Sequence, residues 1–487
     1  MDELTASDSL TEVPSADPAA PDPAPAEGAT GGRGPLLGRV GETLAGLFPE
    51  APERAGSPLP AAAVPVGYVL AIVVGAVVLL LRQSGHPAWD TMWAEDRSIF
   101  LPAAVLHPWS SIWQPYAGYL ELVPRLIAEV AAALPFADAA VCFAVSGALI
   151  ASGCAALVFH ASRGHVHSPV LRMLLAAGVL LLPQALIELT NSGVDSLWYL
   201  MFAVFWVLFW RPRSRLGMTV AALVGLAAVS SQVLVVFFAP IVLARLIALP
   251  RVREHAVTLG LVAGVLLQLP VMLGAPPLPP SPDPAKGSHL AAASDFYVQH
   301  VLLASVAGWH LAERLEDRLG HLGMVALAAA VVVLLAEWAY LRGGSRVRIM
   351  VVTTLGYGLV LCIIPALLRP QVLNPAAVTR LWIPGTRYAM VPVLLIDSLA
   401  VIAVDAFLRR GRAGGWDARR VLAVLALFAV LSAGWISDFR AANLRAASPL
   451  WRQAVSTAQA TCRDRPPGSR VWLPILGTRL PCAAVDR

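Results

Sequence analysis

The sequence predicts an all-α, polytopic membrane protein, and three observations lead to this fold class. Of the 487 residues, 57% are hydrophobic and only 14% are charged. The apolar residues form repeated runs of about 20, the length that an α-helix needs to cross the hydrocarbon of a bilayer. The basic residues, almost all arginine, stand in short clusters between these runs. So few charges cannot cover a water-exposed surface, and much of the apolar surface must therefore face lipid.

The first 60 residues differ in composition from the rest of the chain. They are rich in Pro, Ala, Gly, Asp and Glu and contain no apolar run before Val64. Such a segment cannot bury enough apolar area to offset the entropy of ordering it. We therefore predict a disordered cytoplasmic tail over 1–60, a transmembrane domain over 61–437 and a small extracytoplasmic tail over 438–487.

Ten apolar stretches account for the predicted transmembrane helices. Eight have the length of a single span, and they are 64–81, 139–160, 169–187, 253–273, 322–341, 349–368, 388–408 and 421–437. The run 196–210 is shorter but very apolar. The stretch 216–249 is too long for one span and is interrupted by Ser230, Ser231 and Gln232. We read it as two short helices joined by a tight turn, which gives about eleven spans.

The arginine clusters between the apolar runs orient these spans, because cytoplasmic loops carry an excess of basic residues. Eleven spans with a cytoplasmic N-terminus place all the clusters inside and the C-terminus outside. A further span over 116–135 would move the later clusters outside, so we predict surface helices within a long first outer loop, 82–138. The net charge of +5 is thus accounted for by the basic residues of the cytoplasmic loops, which orient the spans, and nucleic-acid binding is not expected.

Two cysteines lie in the polar C-terminal tail, apart from the three in apolar runs. If the tail is extracytoplasmic, Cys462 and Cys482 can pair as a disulfide. Two free thiols are the alternative.

The first outer loop carries the most informative polar motif, W-D-T-M-W-A-E-D-R at 89–97. It places three carboxylates and an arginine beside two tryptophans. One interpretation is a solvated loop with an interfacial aromatic belt. The other is a carboxylate held at the bilayer surface, where it can take a proton from an acceptor hydroxyl.

The segments W-A-E-D-R-S-I-F-L-P-A-A at 93–104 and P-Y-A-G-Y-L-E-L-V-P-R at 115–125 resemble the first outer loop of the GT-C superfamily of membrane glycosyltransferases. The resemblance implies a multi-helix fold, a polyprenyl-phosphate-sugar donor, transfer on the non-cytoplasmic face and an acidic pair as catalytic base. Here the pair reads Glu-Asp, whereas several families show Asp-Glu or a lone Asp. The base therefore stays open between Glu95 and Asp96, and we favour Asp96.

Other polar residues of the predicted outer face fit a donor or acceptor site. Arginine offers a planar fork to phosphate oxygens, tyrosine stacks on sugar rings, and acid or amide side chains bind sugar hydroxyls. The candidates are Arg125, Tyr116, Tyr119, Glu188, Asn191, Arg380, Arg387 and Tyr388. The alternative for each is an interfacial or solvated residue without a ligand. The histidines show no metal spacing, although the resemblance allows a divalent cation, Mg or Mn, near the acidic pair.

The resemblance, together with these polar residues, implies a glycosyltransferase of the plasma (inner) membrane that transfers a sugar to an envelope glycan, lipid or protein. Two alternatives belong to other classes. A flippase or exporter of a lipid-linked glycan would need polar residues along several spans, where the sequence offers only Asp397, Gln268 and Gln232. A non-catalytic envelope-assembly protein would leave the acidic pair without a role.

Overall fold

The computed structural model describes residues 44–50, 63–276, 293–294, 296–368, 386–410, 418–441, 443 and 445–487. Over these residues the chain is mostly helical, with a short antiparallel hairpin of β1 (Arg470–Leu473) and β2 (Thr478–Pro481) near its end. In chain order, the α-helices are α1 Ala63–Arg82, α2 Leu101–Leu106, α3 Leu122–Ala133, α4 Ala139–Ala161, α5 Pro169–Leu181, α6 Pro183–Glu188, α7 Ser196–Phe209, α8 Arg215–Ser231, α9 Ala239–Ala248, α10 Ala256–Gly274, α11 Ala304–Arg342, α12 Ser345–Leu368, α13 Arg387–Arg409, α14 Ala418–Ser437, α15 Trp451–Arg463 and α16 Cys482–Val485.

Eight helices in the described part of the chain are long and apolar enough to cross a membrane. They cover the eight full-length runs predicted from the sequence. Three further apolar helices are shorter, over Ser196–Phe209, Arg215–Ser231 and Val233–Ala248. The prediction of an all-α, polytopic membrane protein is thus confirmed.

The polar interruption at Ser230–Gln232 breaks the helix, as the sequence predicted. Helix α8 ends at Ser231, Gln232 has extended backbone, and a 3₁₀ segment begins at Val233 and runs into α9. The Gln232 side chain caps the new segment by accepting a hydrogen bond from the N–H of Leu234.

Helix α7 lies at the centre of the bundle. Every residue from Ser196 to Phe209 is buried, whereas α1 and α14 expose most of their apolar side chains. A helix that is apolar all round must be surrounded either by protein or by lipid. Because protein surrounds all 14 residues of α7, this helix can hold the loops at its two ends in fixed positions.

The segment 82–138 contains several short helices. Besides α2 and α3 it includes 3₁₀ turns at Ala88–Asp90, Ser110–Trp113 and Phe136–Asp138 and a π-helical turn at Asp96–Phe100. It packs at the same end of the bundle as the loop 189–195 and the chain after α14. The Ser192 hydroxyl donates to Asp96, and the Ser84 hydroxyl donates to the carbonyl of Ala441.

The opposite end of the bundle holds the described part of the N-terminal tail. Leu47 and Phe48 are buried there, and Phe48 stacks on Phe209 with ring centroids 6.0 Å apart. Glu50 pairs with Arg211 at 3.1 Å and also with Arg213. Residues 44–50 are therefore ordered against the bundle, in contrast to the disorder predicted for 1–60, because two apolar side chains bury themselves. Residues 1–43 and 51–60 lie outside the described residues.

The tail 438–487 folds into a small C-terminal subdomain made of α15, the β-hairpin and α16. Cys462 and Cys482 are joined by a disulfide that spans 20 residues. Trp451, fully buried, donates from its indole Nε1 to the carbonyl of Phe136 at 2.9 Å, and the N–H of Arg452 donates to Asp90. The subdomain is thereby fixed to the first loop.

Candidate functional site

A cavity of about 420 Å³ lies where the first loop meets the starts of α7 and α13. Its lining combines loop residues with apolar side chains from or near helix ends, including Leu234, Met272 and Pro365. The polar side chains of its lining include those of Glu95, Tyr116, Tyr119, Glu121, Asp195, Gln232, Arg387 and Tyr388. Five of the residues predicted from the sequence thus share one cavity, namely Glu95, Tyr116, Tyr119, Arg387 and Tyr388.

Glu95 and Arg387, 292 residues apart in sequence, form an ion pair in this cavity. Glu95 Oε1 lies 3.3 Å from Arg387 Nη1 and also accepts a hydrogen bond from the Tyr116 hydroxyl at 3.3 Å. Ala94, immediately before Glu95, has a φ of 29°, a strained value for a residue other than glycine. Strain of this kind is often found at functional sites, because the surrounding fold must hold it in place.

A tight turn presents the two tyrosines. Ala117 and Gly118 both have positive φ, at 52° and 89°, as the central residues of a type I′ turn do. The backbones of Tyr116 and Tyr119 exchange two hydrogen bonds across this turn, of 2.9 and 3.1 Å.

Gln268 on α10 holds the residue that follows the turn. Its side chain accepts from the N–H of Leu120 at 2.6 Å and donates to the Leu120 carbonyl at 3.1 Å. It also donates to the carbonyl of Val229 at 3.2 Å. These backbone partners give Gln268 a structural role, so it adds little to the polar pathway that a flippase would need.

Glu121 and Asp195 are further carboxylates of the lining, and both side chains are almost fully buried. Burial raises the pKa of Glu121 to about 8, against the opposing effects of a hydrogen bond with Tyr119 and the charges of Arg125 and Arg387. Burial likewise raises the pKa of Asp195 well above its usual range, although Arg387 opposes this. Within the described part of the chain, Glu121 Oε2 and Asp195 Oδ2 are buried without a hydrogen-bond partner. Both residues belong to the lining of the cavity.

Asp96, the base favoured from the sequence, points elsewhere. Its carboxylate is buried and accepts three hydrogen bonds from the loop before α7: from the Ser192 hydroxyl at 2.9 Å and from the N–H groups of Gly193 and Val194 at 2.8 Å. Asp96 is not among the residues that line the cavity. Burial raises its pKa to about 6, partly offset by these hydrogen bonds. The geometry therefore makes Asp96 an anchor for the loop and leaves Glu95 facing the cavity.

Arg445, between α14 and α15, secures the same loop from the other side. Its guanidinium donates to the carbonyls of Thr190 and Asn191 through Nη1, and to those of Ala88 and Thr91 through Nη2. Burial lowers the pKa of Arg445 to about 10. The sequence offered no signal for this role, because the partners are backbone carbonyls that any residue type can supply.

Three other predicted residues that the structure describes, Arg125, Asn191 and Glu188, are not among those that line the cavity. Arg125 is buried with its guanidinium 5.1 Å from the centroid of the Phe100 ring. Asn191, at a φ of 61°, donates to the carbonyl of Leu79 and helps shape the loop. Glu188 accepts from the N–H of Arg387 at 3.3 Å, so it stabilises the start of α13. Arg380 lies outside the described residues.

Tyr388 lines the cavity and packs edge-to-face on Trp198, with ring centroids 5.1 Å apart. In the part of the chain that the structure describes, no three His, Cys, Asp or Glu side chains come together as a metal-binding group. No family model, curated protein or solved structure matches this chain.

Proposed function

We propose that the protein is a membrane glycosyltransferase that uses a polyprenyl-phosphate sugar as donor and a glycan, lipid or protein of the cell envelope as acceptor. One observation carries this proposal: Glu95 and Arg387 meet in a cavity whose lining combines polar loop residues with apolar side chains near helix ends. A lipid-linked sugar phosphate needs a cation for its phosphate, a base for the acceptor hydroxyl and apolar surface beside them.

The proposed step is a displacement with inversion at the anomeric carbon. The acceptor oxygen forms the new bond to this carbon while its proton passes to the Glu95 carboxylate. The bond from the anomeric carbon to the phosphate oxygen breaks, and the phosphate leaves with the electron pair. Arg387 stabilises the charge that develops on the phosphate, since a preorganised cation acts most strongly in a site with little water.

We assign the base to Glu95 because Asp96 is engaged by three hydrogen bonds of the loop 192–194. Glu121 has a different role in the proposal. With a pKa raised to about 8, it is mostly neutral near pH 7 and donates a hydrogen bond to a sugar oxygen. A neutral Glu121 also limits the repulsion between the cavity and the donor phosphate.

The proposal also assigns the membrane in which the protein resides and the side of that membrane on which the cavity opens. Arg211, Arg213 and Arg346 contact residues 44–50 at the end of the bundle opposite the cavity. Since basic clusters mark the cytoplasmic side, we propose that the cavity opens extracytoplasmically in the plasma (inner) membrane. Eleven spans, an inside N-terminus and an outside C-terminus complete this topology. Mg or Mn is retained as an optional cofactor of the proposed reaction.

The test is transfer by the purified full-length protein from a panel of synthetic polyprenyl-phosphate hexoses and pentoses to membrane-derived acceptors. We expect Glu95→Gln to lower the rate by about 10²–10⁴-fold, the usual contribution of a general base, without changing thermal stability. Asp138→Asn is the matched control, because Asp138 belongs to the same loop but its side chain is 48% exposed and outside the cavity.

Two results would contradict the proposal. Full activity of Glu95→Gln would remove the base. Donor translocation without any transfer, measured in reconstituted vesicles, would favour a flippase instead.

A further inference from the structure

The C-terminal subdomain carries a second groove, apart from the cavity of the membrane domain. Its volume is about 600 Å³, within the range of about 300–1,000 Å³ that is usual for ligand sites. It is lined by residues of α15 and β1 and by His86 of the first loop.

The lining of this groove combines polar and aromatic side chains. Along α15, Gln453, Thr457 and Thr461 follow one another at intervals of four residues, so they form a single polar stripe. Trp472 of β1 also belongs to the lining and is 51% exposed, although its strand neighbours Val471 and Leu473 are buried.

The polar stripe keeps hydrogen-bonding capacity for a ligand. The hydroxyls of Thr457 and Thr461 donate to the helix carbonyls of Gln453 and Thr457, at 3.0 and 2.9 Å. The lone pairs of both hydroxyl oxygens remain available as acceptors. The amide of Gln453, exposed on the same face, supplies both donors and an acceptor.

The lining of the groove is nearly uncharged. Ala454 and Ala458 of α15 also line the groove, with small apolar side chains. Arg465 is the one charged side chain of the lining apart from the titratable His86, and its Nη1 donates to the carbonyl of Arg470 at 2.6 Å.

We infer that this groove binds a neutral carbohydrate chain. The C–H face of a sugar ring is apolar and packs on an exposed indole, while its equatorial hydroxyls need several donors and acceptors alongside. This groove has an exposed tryptophan, a row of hydroxyl and amide groups, and little charge. It therefore supplies an apolar surface for the sugar ring and hydrogen-bonding partners for its hydroxyls. A highly charged ligand would instead require ion-pair partners, and a bound peptide strand would find only four residues of β1 to pair with.

The position of the groove gives this binding a role, and this part of the inference rests on the proposed function. His86 lies in the loop that leads from α1 to Glu95, and its ring bonds the carbonyl of Ser448 at 2.8 Å. The subdomain is also fixed to the first loop through Trp451 and Phe136. A glycan in the groove is therefore held by the same rigid unit that carries the proposed base, so the groove would select an acceptor of several sugar units.

The experiment measures binding of neutral gluco-, manno-, galacto- and arabino-oligosaccharides to the full-length protein in detergent, by calorimetry. We expect at least one oligosaccharide to bind, Trp472→Ala to weaken it at least tenfold, and Trp472→Phe to weaken it less. Thr457→Val removes one hydroxyl of the stripe and should weaken binding several-fold. Ser456→Ala, on the neighbouring face of α15 and outside the groove, should leave binding unchanged.

The inference would be overturned if the unmodified protein bound none of the oligosaccharides. It would also be overturned if the Trp472→Ala variant bound them as tightly as the unmodified protein does. Capture of extended peptides in a Trp472-dependent manner would assign the groove to a different ligand. Binding should persist in Glu95→Gln. If that variant is fully active yet oligosaccharides still bind at Trp472, the proposed reaction fails while the glycan groove stands.

Discussion

Replacing Arg445 with glutamine tests whether one guanidinium holds the segments 88–91 and 190–191 against the chain between α14 and α15. Arg445 donates to four backbone carbonyls in two groups, Thr190 with Asn191 and Ala88 with Thr91. The shorter amide of glutamine can reach only one group. Each buried acceptor left unpaired costs about 1–3 kcal/mol.

The loss is partly offset, because the buried cation also disappears. The desolvation that lowers the pKa of Arg445 to about 10 no longer opposes folding. With two carbonyls left unpaired, we expect a net loss of about 3 kcal/mol. For a chain of this size that corresponds to a fall in Tm on the order of 5 °C. Loss of the nearby positive charge should also raise the pKa of Asp96 further, since Arg445 now lowers it.

The assay is thermal unfolding of the detergent-solubilised protein, followed by intrinsic fluorescence, together with the transferase assay. Arg463→Gln is the matched control, because Arg463 belongs to the same C-terminal region but is exposed. The Tm and activity of Arg445→Lys should lie between those of Arg445→Gln and Arg463→Gln, since an ammonium lacks the planar fork that reaches both groups of carbonyls. A Tm and activity of Arg445→Gln equal to those of the Arg463→Gln control would refute the reasoning.

Three further predictions concern the cavity, its loop and the C-terminal subdomain. Glu121 is neutral below about pH 8 and charged above it, so transfer should decline as the pH rises through 8; in Glu121→Gln this alkaline decline should be absent from the pH–rate profile. Gly193→Ala should lower both Tm and activity, because a Cβ there would come within 2.7 Å of the Phe143 ring; Gly153→Ala, where the space is open, should match the unmodified protein in both assays. Reduction of the Cys462–Cys482 disulfide should speed proteolysis of the subdomain, by removing a cross-link worth about 3 kcal/mol for a loop of this length; equal digestion rates with and without reductant would contradict this.

The helices and their breaks could be predicted because they depend on local sequence. Apolar runs of span length became helices, and the polar residues before Val233 ended α8 where the pattern changed. Glu95, Arg387, Tyr116 and Tyr119 were predicted as separate candidate site residues, from the motif, the resemblance and the outer-face assignment, and the structure brings the four into one cavity. The choice between the adjacent carboxylates, however, depended on contacts that no local pattern encodes.

Glu95 and Asp96 are neighbours, yet their side chains diverge because of distant residues. Asp96 turns toward the N–H groups of Gly193 and Val194, nearly a hundred positions later in the chain. A backbone N–H is supplied by every residue except proline, so the sequence of this loop gives no sign that it binds a carboxylate. The same reason concealed the role of Arg445.

The attachment of the first loop to the end of the chain has a consequence for biogenesis. Arg445 bonds carbonyls at Ala88 and Thr91 that were synthesised 357 and 354 residues earlier. The early loop therefore reaches the membrane surface long before its stabilising partner leaves the ribosome. Completion of the cavity must be a late event of synthesis, and a chain that lost its last 50 residues would insert its helices and still lack a finished site.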